Sequence, residues 1–199
     1  MNKKEFIILA LYCLILTFKT SVATTIEILD LKTNLLRITE TFYFSEPDKL
    51  KARFCSVSFS MLEDPVKVVS IIEKNTEQEL DYDLIPKAGR NGKYWTCDKL
   101  RSLMLNIEFP NPVPHGGYYS VEVVLEGNST NKYIYIDKKG RYVFKIPARG
   151  EIFFILPPNH TIVFSNYPVL IYEKKGRTVL HIENIKKTQT LIFKTRYKK

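Results

Sequence analysis

Apolar residues in this chain recur at every second position, segment after segment, and no other feature constrains its fold as tightly. Leu36, Ile38, Phe42 and Phe44 share one parity, while Arg37, Thr39 and Thr41 take the other. Leu103, Leu105, Ile107 and Phe109 alternate in the same way, as do Tyr119, Val121, Val123 and Leu125. A period of two sends one set of side chains to a buried face and the next set to a wetter one, which describes a β-strand. Val, Ile, Thr, Tyr, Phe and Trp supply 73 of the 199 residues and Ala only 5, a bias toward strands and away from helical bundles. Beyond one helical turn within Thr96–Leu105, no segment repeats at 3.6 residues.

Turn signals punctuate the strands. Lys32-Thr33-Asn34, Lys74-Asn75-Thr76-Glu77, Asn91-Gly92, Lys138-Lys139-Gly140 and Glu173-Lys174-Lys175-Gly176 each separate two apolar runs. By Gly127 there are seven or eight short strands, the number and spacing of an immunoglobulin-like antiparallel β-sandwich over residues 24–126. Residues 127–199 continue in the same style. Strands are expected at Tyr142–Ile146, Glu151–Leu156, Thr161–Phe164, Val169–Tyr172, Thr178–Ile182 and Thr190–Thr195. They form either a second small β domain in tandem or a continuation of the first.

The N-terminus has a different character. Lys3 and Lys4 precede an apolar run from Phe6 to Phe18, and Ser21-Val22-Ala23 follows. Such a run spans about 20 Å as a helix, short of the roughly 30 Å hydrocarbon core. This is the pattern of a signal peptide, residues 1–23, cleaved after Ala23, and it predicts a secreted or extracytoplasmic protein. No later segment is long and apolar enough to cross a membrane as a helix. Cleavage removes Cys13 and leaves Cys55 and Cys97, which in an oxidising compartment are expected to form one disulfide.

Charge is placed unevenly. Residues 24–110 carry 12 basic and 14 acidic groups, whereas residues 111–199 carry 15 basic and 6 acidic groups. Lys138, Lys139, Lys174, Lys175, Lys186 and Lys187 make a candidate contact surface for an acidic cell-surface polymer or another envelope protein. The alternative is that they are solvated turn residues. Nucleic acid is not expected as a partner, since export removes it and no binding motif is present.

Signatures of catalysis are missing. His115, His160 and His181 stand apart from one another and from any cysteine pair, so no metal site is expected. There is no nucleophile elbow, phosphate loop or dinucleotide fingerprint, hence no expected cofactor or enzyme activity. Asp81 and Asp83 flank Tyr82 and read as a solvent face beside a turn. Tyr133 and Tyr135 share one strand face and offer a strip on which a sugar could stack. Asn128-Ser129-Thr130 and Asn159-His160-Thr161 are glycosylation sequons.

Leu103-Met104-Leu105-Asn106-Ile107-Glu108-Phe109-Pro110, followed by Pro112-Val113-Pro114-His115-Gly116-Gly117-Tyr118-Tyr119-Ser120-Val121-Glu122-Val123, forms a strand, a Pro/Gly turn and a second strand. This arrangement resembles the N-terminal β domains of zinc aminopeptidases, the luminal region of ribophorin I and prokaryotic exported proteins of unknown function. Residues 66–85 are similar to the hairpin that precedes it there. The resemblance covers about 60 residues, is generic rather than specific to one family, and implies a sandwich that supports or presents something else. The peptidase zinc motif and ribophorin's membrane helix are absent from the sequence, so neither activity carries over. The chain is thus expected to be a non-catalytic structural or accessory protein of the cell envelope acting by protein–protein contact. The alternative is a carbohydrate- or ligand-binding module.

Non-reducing peptide mapping of protein from its native compartment should recover Cys55 and Cys97 in one linked pair. Two alkylatable thiols would exclude the bond.

Overall fold

The computed structural model describes residues 21–44, 51–54, 61–63, 65–86, 103–113 and 117–198. The expected leader up to Thr20, Cys55, Cys97 and His115 lie outside them. The described residues form thirteen strands: β1 (Ser21–Asp30), β2 (Leu35–Phe44), β3 (Lys51–Phe54), β4 (Lys67–Glu73), β5 (Gln78–Glu79), β6 (Tyr82–Pro86), β7 (Leu103–Glu108), β8 (Tyr119–Asn128), β9 (Ile134–Ile136), β10 (Tyr142–Ile155), β11 (His160–Ser165), β12 (Leu170–Lys174) and β13 (Arg177–Tyr197). The protein is an all-β sandwich with open sheets, as the alternation predicts.

A ten-stranded sheet runs β11-β13-β10-β1-β2-β8-β4-β5, with β12 also on β13 and β9 also on β10; a smaller sheet runs β3-β7-β6. Strands from both sides of Gly127 therefore share one sheet. All the pairs are antiparallel except β1 with β10, where Ala23 to Glu27 run alongside Glu151 to Ile155. The small sheet lies over β2 and β8. Phe109, directly after β7, places its ring 5.4 Å from Phe44 and stacks on Tyr119 at 4.6 Å, and Leu105 and Ile107 join the same core as Ile38 and Leu125.

The C-terminal half differs from the expected pattern. Four predicted strands are two: β10 unites Tyr142–Ile146 with Glu151–Leu156, and β13 unites Thr178–Ile182 with Thr190–Thr195. Both bend in the middle. Phe144 and Phe154 are ten residues apart on β10, which is about 33 Å in a straight strand, yet their ring centroids are 5.0 Å apart. Phe193 of β13 lies 5.5 Å from Phe154. The ribbon is therefore folded over, its two halves facing each other across the core.

Local chemistry produces the bend. Between Ala148 and Gly150 the partner on β13 moves from Gln189 to Ile185, and between Gly150 and Ile152 from Ile185 to Ile182, so β13 carries the extra residues, and such bulges bend the strand that carries them. Gly150 has φ +80°, open to glycine at little cost. Pro147 costs no ladder bond. Lys145 donates its N–H to the Tyr133 carbonyl on the β9 side. Pro147, two residues on, turns its nitrogen to that same side, in the gap between β9 and β1.

Of the predicted turns, Asn91-Gly92 lies outside the described residues, and the other four are where the sequence places them. Asn34, Glu77 and Lys175 adopt positive φ there, and Glu73 ties its turn to the sheet. Its carboxylate accepts the Thr76 N–H and hydroxyl, both at 2.8 Å, and the Ser120 N–H at 3.3 Å. Burial opposes the charged form of Glu73, but these hydrogen bonds outweigh it and hold the carboxyl below its ordinary value.

Phe154→Ala should cost about 3–5 kcal/mol, read as a lower urea midpoint at unchanged slope. Phe154 is fully buried between the two halves of the fold-over. A midpoint shift worth less than about 1 kcal/mol would mean that the halves do not close on each other in solution.

Candidate functional site

The basic residues singled out in the sequence divide into two groups. Lys138 and Lys139 occupy the β9–β10 turn, and Lys174 and Lys175 the β12–β13 turn. Both turns lie at the end of the sandwich where the two halves of the ribbon meet. Leu156 to His160 cross there from one half to the other. Thr178 donates its hydroxyl to the His160 carbonyl at 2.8 Å, and the Lys198 N–H reaches the Asn159 carbonyl at 2.7 Å. The Tyr142 ring, next to the first turn, is 6.1 Å from His160. Lys186 and Lys187 are exposed on the bent middle of β13, about 30 Å of strand away from Arg177. Four of the six lysines thus gather at one end and two stand at the other.

Each turn is built to hold its lysines outward. Asp137 accepts the Lys139 N–H at 2.9 Å and the Arg141 N–H at 3.1 Å, and its other oxygen takes the Arg141 guanidinium at 2.9 and 2.6 Å. The Arg141 guanidinium, together with the two backbone donors, pulls the Asp137 pKa down to about 2. In the other turn, Lys175 and Gly176 have φ of +52° and +72°, the values of a type I′ hairpin.

A ladder of charges crosses the outer face beside this end. Arg177 pairs with Glu27 and also donates to the Leu156 and Ile28 carbonyls. Glu27 stands opposite Arg37, and Arg37 opposite Glu126, with Arg37 contacting them at 3.7 and 2.5 Å. Farther along this face, His181 stacks on Phe153 at 4.3 Å, with its Nε2 2.8 Å from Glu151 Oε1. Among the described residues, no group of three or more His, Cys, Asp or Glu is arranged to hold a metal, and no helix is long and apolar enough to cross a membrane.

The remaining sequence candidates are scattered. Tyr133 and Tyr135 are half-buried, and the Lys132 and Lys145 ammonium groups lie 5.1 and 5.2 Å from their ring centroids. Asn128 is exposed at the end of β8, while its neighbour Ser129 is buried. Asn159 is exposed in a tight turn at φ +59°. Asp81 and Asp83 are exposed.

Sequence reading missed the apolar edge beside the lysines. Among the described residues eleven large hydrophobic side chains are exposed, and six of them, Val163, Phe164, Leu170, Ile171, Tyr172 and Tyr197, belong to β11, β12 and the end of β13. Alternation alone cannot reveal this, because an edge strand has the same composition as a covered one. The signal that remains is the run Val169-Leu170-Ile171-Tyr172, apolar at consecutive rather than alternate positions.

No protein-family model matches the chain, and no curated protein matches it. Among solved structures it is similar to a two-domain M1 zinc metallopeptidase mutant bound to L-arginine, at 10% identity and TM-score 0.50, covering 89% of this chain and 42% of that one. A mutant M1 zinc metallopeptidase from Deinococcus radiodurans gives 10% identity and TM-score 0.49, with 88% and 42% covered. The chain spans less than half the length of the solved proteins it matches. The likeness is one of fold, and it supports the resemblance to a zinc aminopeptidase β domain read from residues 103–123.

An NMR titration of the Asp137 carboxyl should give a midpoint near 2, below the ordinary 3.8. A depressed folded-state value means that the turn's contribution to stability is fully present above 3.8 and disappears as pH falls through about 2. A midpoint at 3.8 or higher would show that Arg141 does not hold the carboxylate.

Proposed function

We propose that this chain is an exported, non-catalytic accessory module of the cell envelope that works by protein–protein contact. The observation that carries this reading is the gathering of exposed apolar side chains on the β11/β12/β13 edge, flanked by Lys174 and Lys175. A concentrated exposed apolar patch marks a contact surface, whereas scattered apolar residues do not. Export supports the same reading. Cleavage after Ala23 leaves Thr24 to Glu27, and with them four of the five described β1·β10 pairs. The two cysteines and the sequons belong to the same exported setting.

The test is capture from the native envelope with the mature chain as bait. A protein partner should be retained stoichiometrically and released progressively as salt rises through the physiological range. Replacing both Lys174 and Lys175 with Gln should weaken retention several-fold, with Lys186 and Lys187, at the other end of the ribbon, as the control pair. Retention on purified glycan in the absence of protein would favour a carbohydrate-binding module instead. No retention at all would overturn the contact reading.

A further inference from the structure

We infer that the outer edge of β12 is a strand-docking site whose occupant is an extended, acidic segment of a partner protein. This rests on the contact reading above and specifies the edge and the chemistry that meets it.

The hairpin register shows which backbone groups are open. Lys174 and Arg177 close a two-residue turn, so they form a hydrogen-bonded pair, and bonded and non-bonded pairs alternate from there. The register runs without a shift from Lys174 opposite Arg177 to Leu170 opposite His181. Lys174, Tyr172 and Leu170 therefore direct N–H and C=O into β13, while Glu173 and Ile171 direct theirs away from it. Thr178 fixes the phase independently. It stands opposite Glu173, and its carbonyl accepts the Leu156 N–H at 2.9 Å on the side away from β12. Among the described residues β12 pairs with β13 alone. Two N–H and two C=O groups thus line its outer side at the spacing of a further strand.

Other edges carry devices that discourage pairing. β11 has a register shift between Ile162 and Phe164, β5 is two residues long, and β6 ends in Pro86. Bulges, brevity and proline keep strangers off an edge, and β12 has no bulge and no proline within it. Its side chains also lack cover. Leu170 is 62% exposed, and Ile171 is 47% exposed although it shares a face with the fully buried Leu180 and Phe154. An added strand would extend the cover of the core to Ile171.

Charge selects the occupant. Glu173 of β12 is paired with Lys198 at 3.6 Å, Lys174 and Lys175 make no ion pair with a described residue, and Lys138 and Lys139 stand at the same end, so the unmatched charge here is positive. A second copy would bring more cations to this edge, whereas acidic side chains on an incoming strand neutralise those present.

The probe is a synthetic ten-residue peptide of alternating Val and Glu, set against one of alternating Val and Lys, added to the mature chain at low salt. The acidic peptide should bind at least about tenfold tighter and slow amide exchange at Ile171 and Glu173, leaving Tyr172, already bonded to β13, unchanged. Ile171→Pro removes an outward donor and no β12·β13 bond, so it should weaken binding about tenfold while the spectrum of the core stays native. Glu173→Pro tests the same row if the first variant fails to fold. Equal binding of the two peptides, no protection at Ile171 and Glu173, or undiminished binding by the proline variants would each overturn the proposal. Envelope capture separates the two readings. A partner held equally by wild type and Ile171→Pro removes the edge and leaves the contact reading standing, whereas a wild type that holds nothing removes the contact reading.

Discussion

The closure of Phe144 and Phe193 onto Phe154 determines the shape of the C-terminal half. A long two-stranded ribbon has two faces to cover and no partner for the far one. Bending it by the extra residues that β13 carries opposite Ala148–Gly150 and Gly150–Ile152 lets one half cover the other, and three aromatic rings fill the space between. The bend has further consequences. It brings the end of β13 back beside its beginning, so Lys198 lies near Asn159 and Thr178 near His160. It also leaves the C-terminal half of β10 free to take β1 alongside it, which joins both halves of the chain in one sheet.

That parallel pairing is the least common feature of the sheet, and Arg177 stands at its end. Its guanidinium touches the Leu156 carbonyl at the end of β10 and the Ile28 carbonyl and Glu27 carboxylate on β1. A planar cation with several donors in fixed directions suits such a junction better than a lysine. The rest of the ladder, through Arg37 and Glu126, is more exposed, and pairs of that kind contribute roughly 0–1 kcal/mol each. Apolar burial supplies most of the cohesion, while the charges set register and keep the outer face wet.

Much of the fold was legible as periodicity. The alternations at 36–44, 103–109 and 119–125 are β2, β7 and β8 with the expected faces buried, and the turns at Asn34, Lys74–Glu77, Gly140 and Gly176 fall where their residues require. Glu40 is the exception within β2. Its parity is that of Ile38 and Phe42, and it lies in the core with Thr24 at hydrogen-bonding distance, a placement that hydropathy opposes. The segmentation of the C-terminal half was not legible. The mostly polar Glu183 to Gln189 and the Pro147–Gly150 stretch look like loops, but bulges on β13 and the positive φ of Gly150 on β10 keep them inside the two strands. Of the candidate site, the lysine turns could be read, while their gathering at one end could not.

Sequence by itself determined the fold class, the faces of most strands and the turn positions, because each depends on residues within a few positions of one another. Tertiary structure alone decided which strands are edges, which lysines share an end, and that Ile171, core-facing by parity, stays open to solvent. Those outcomes depend on pairings such as Glu27 with Ile155 and Thr161 with Arg196. Partners that far apart in the chain are chosen by packing and by the bend at Gly150, and neither is written in any local pattern.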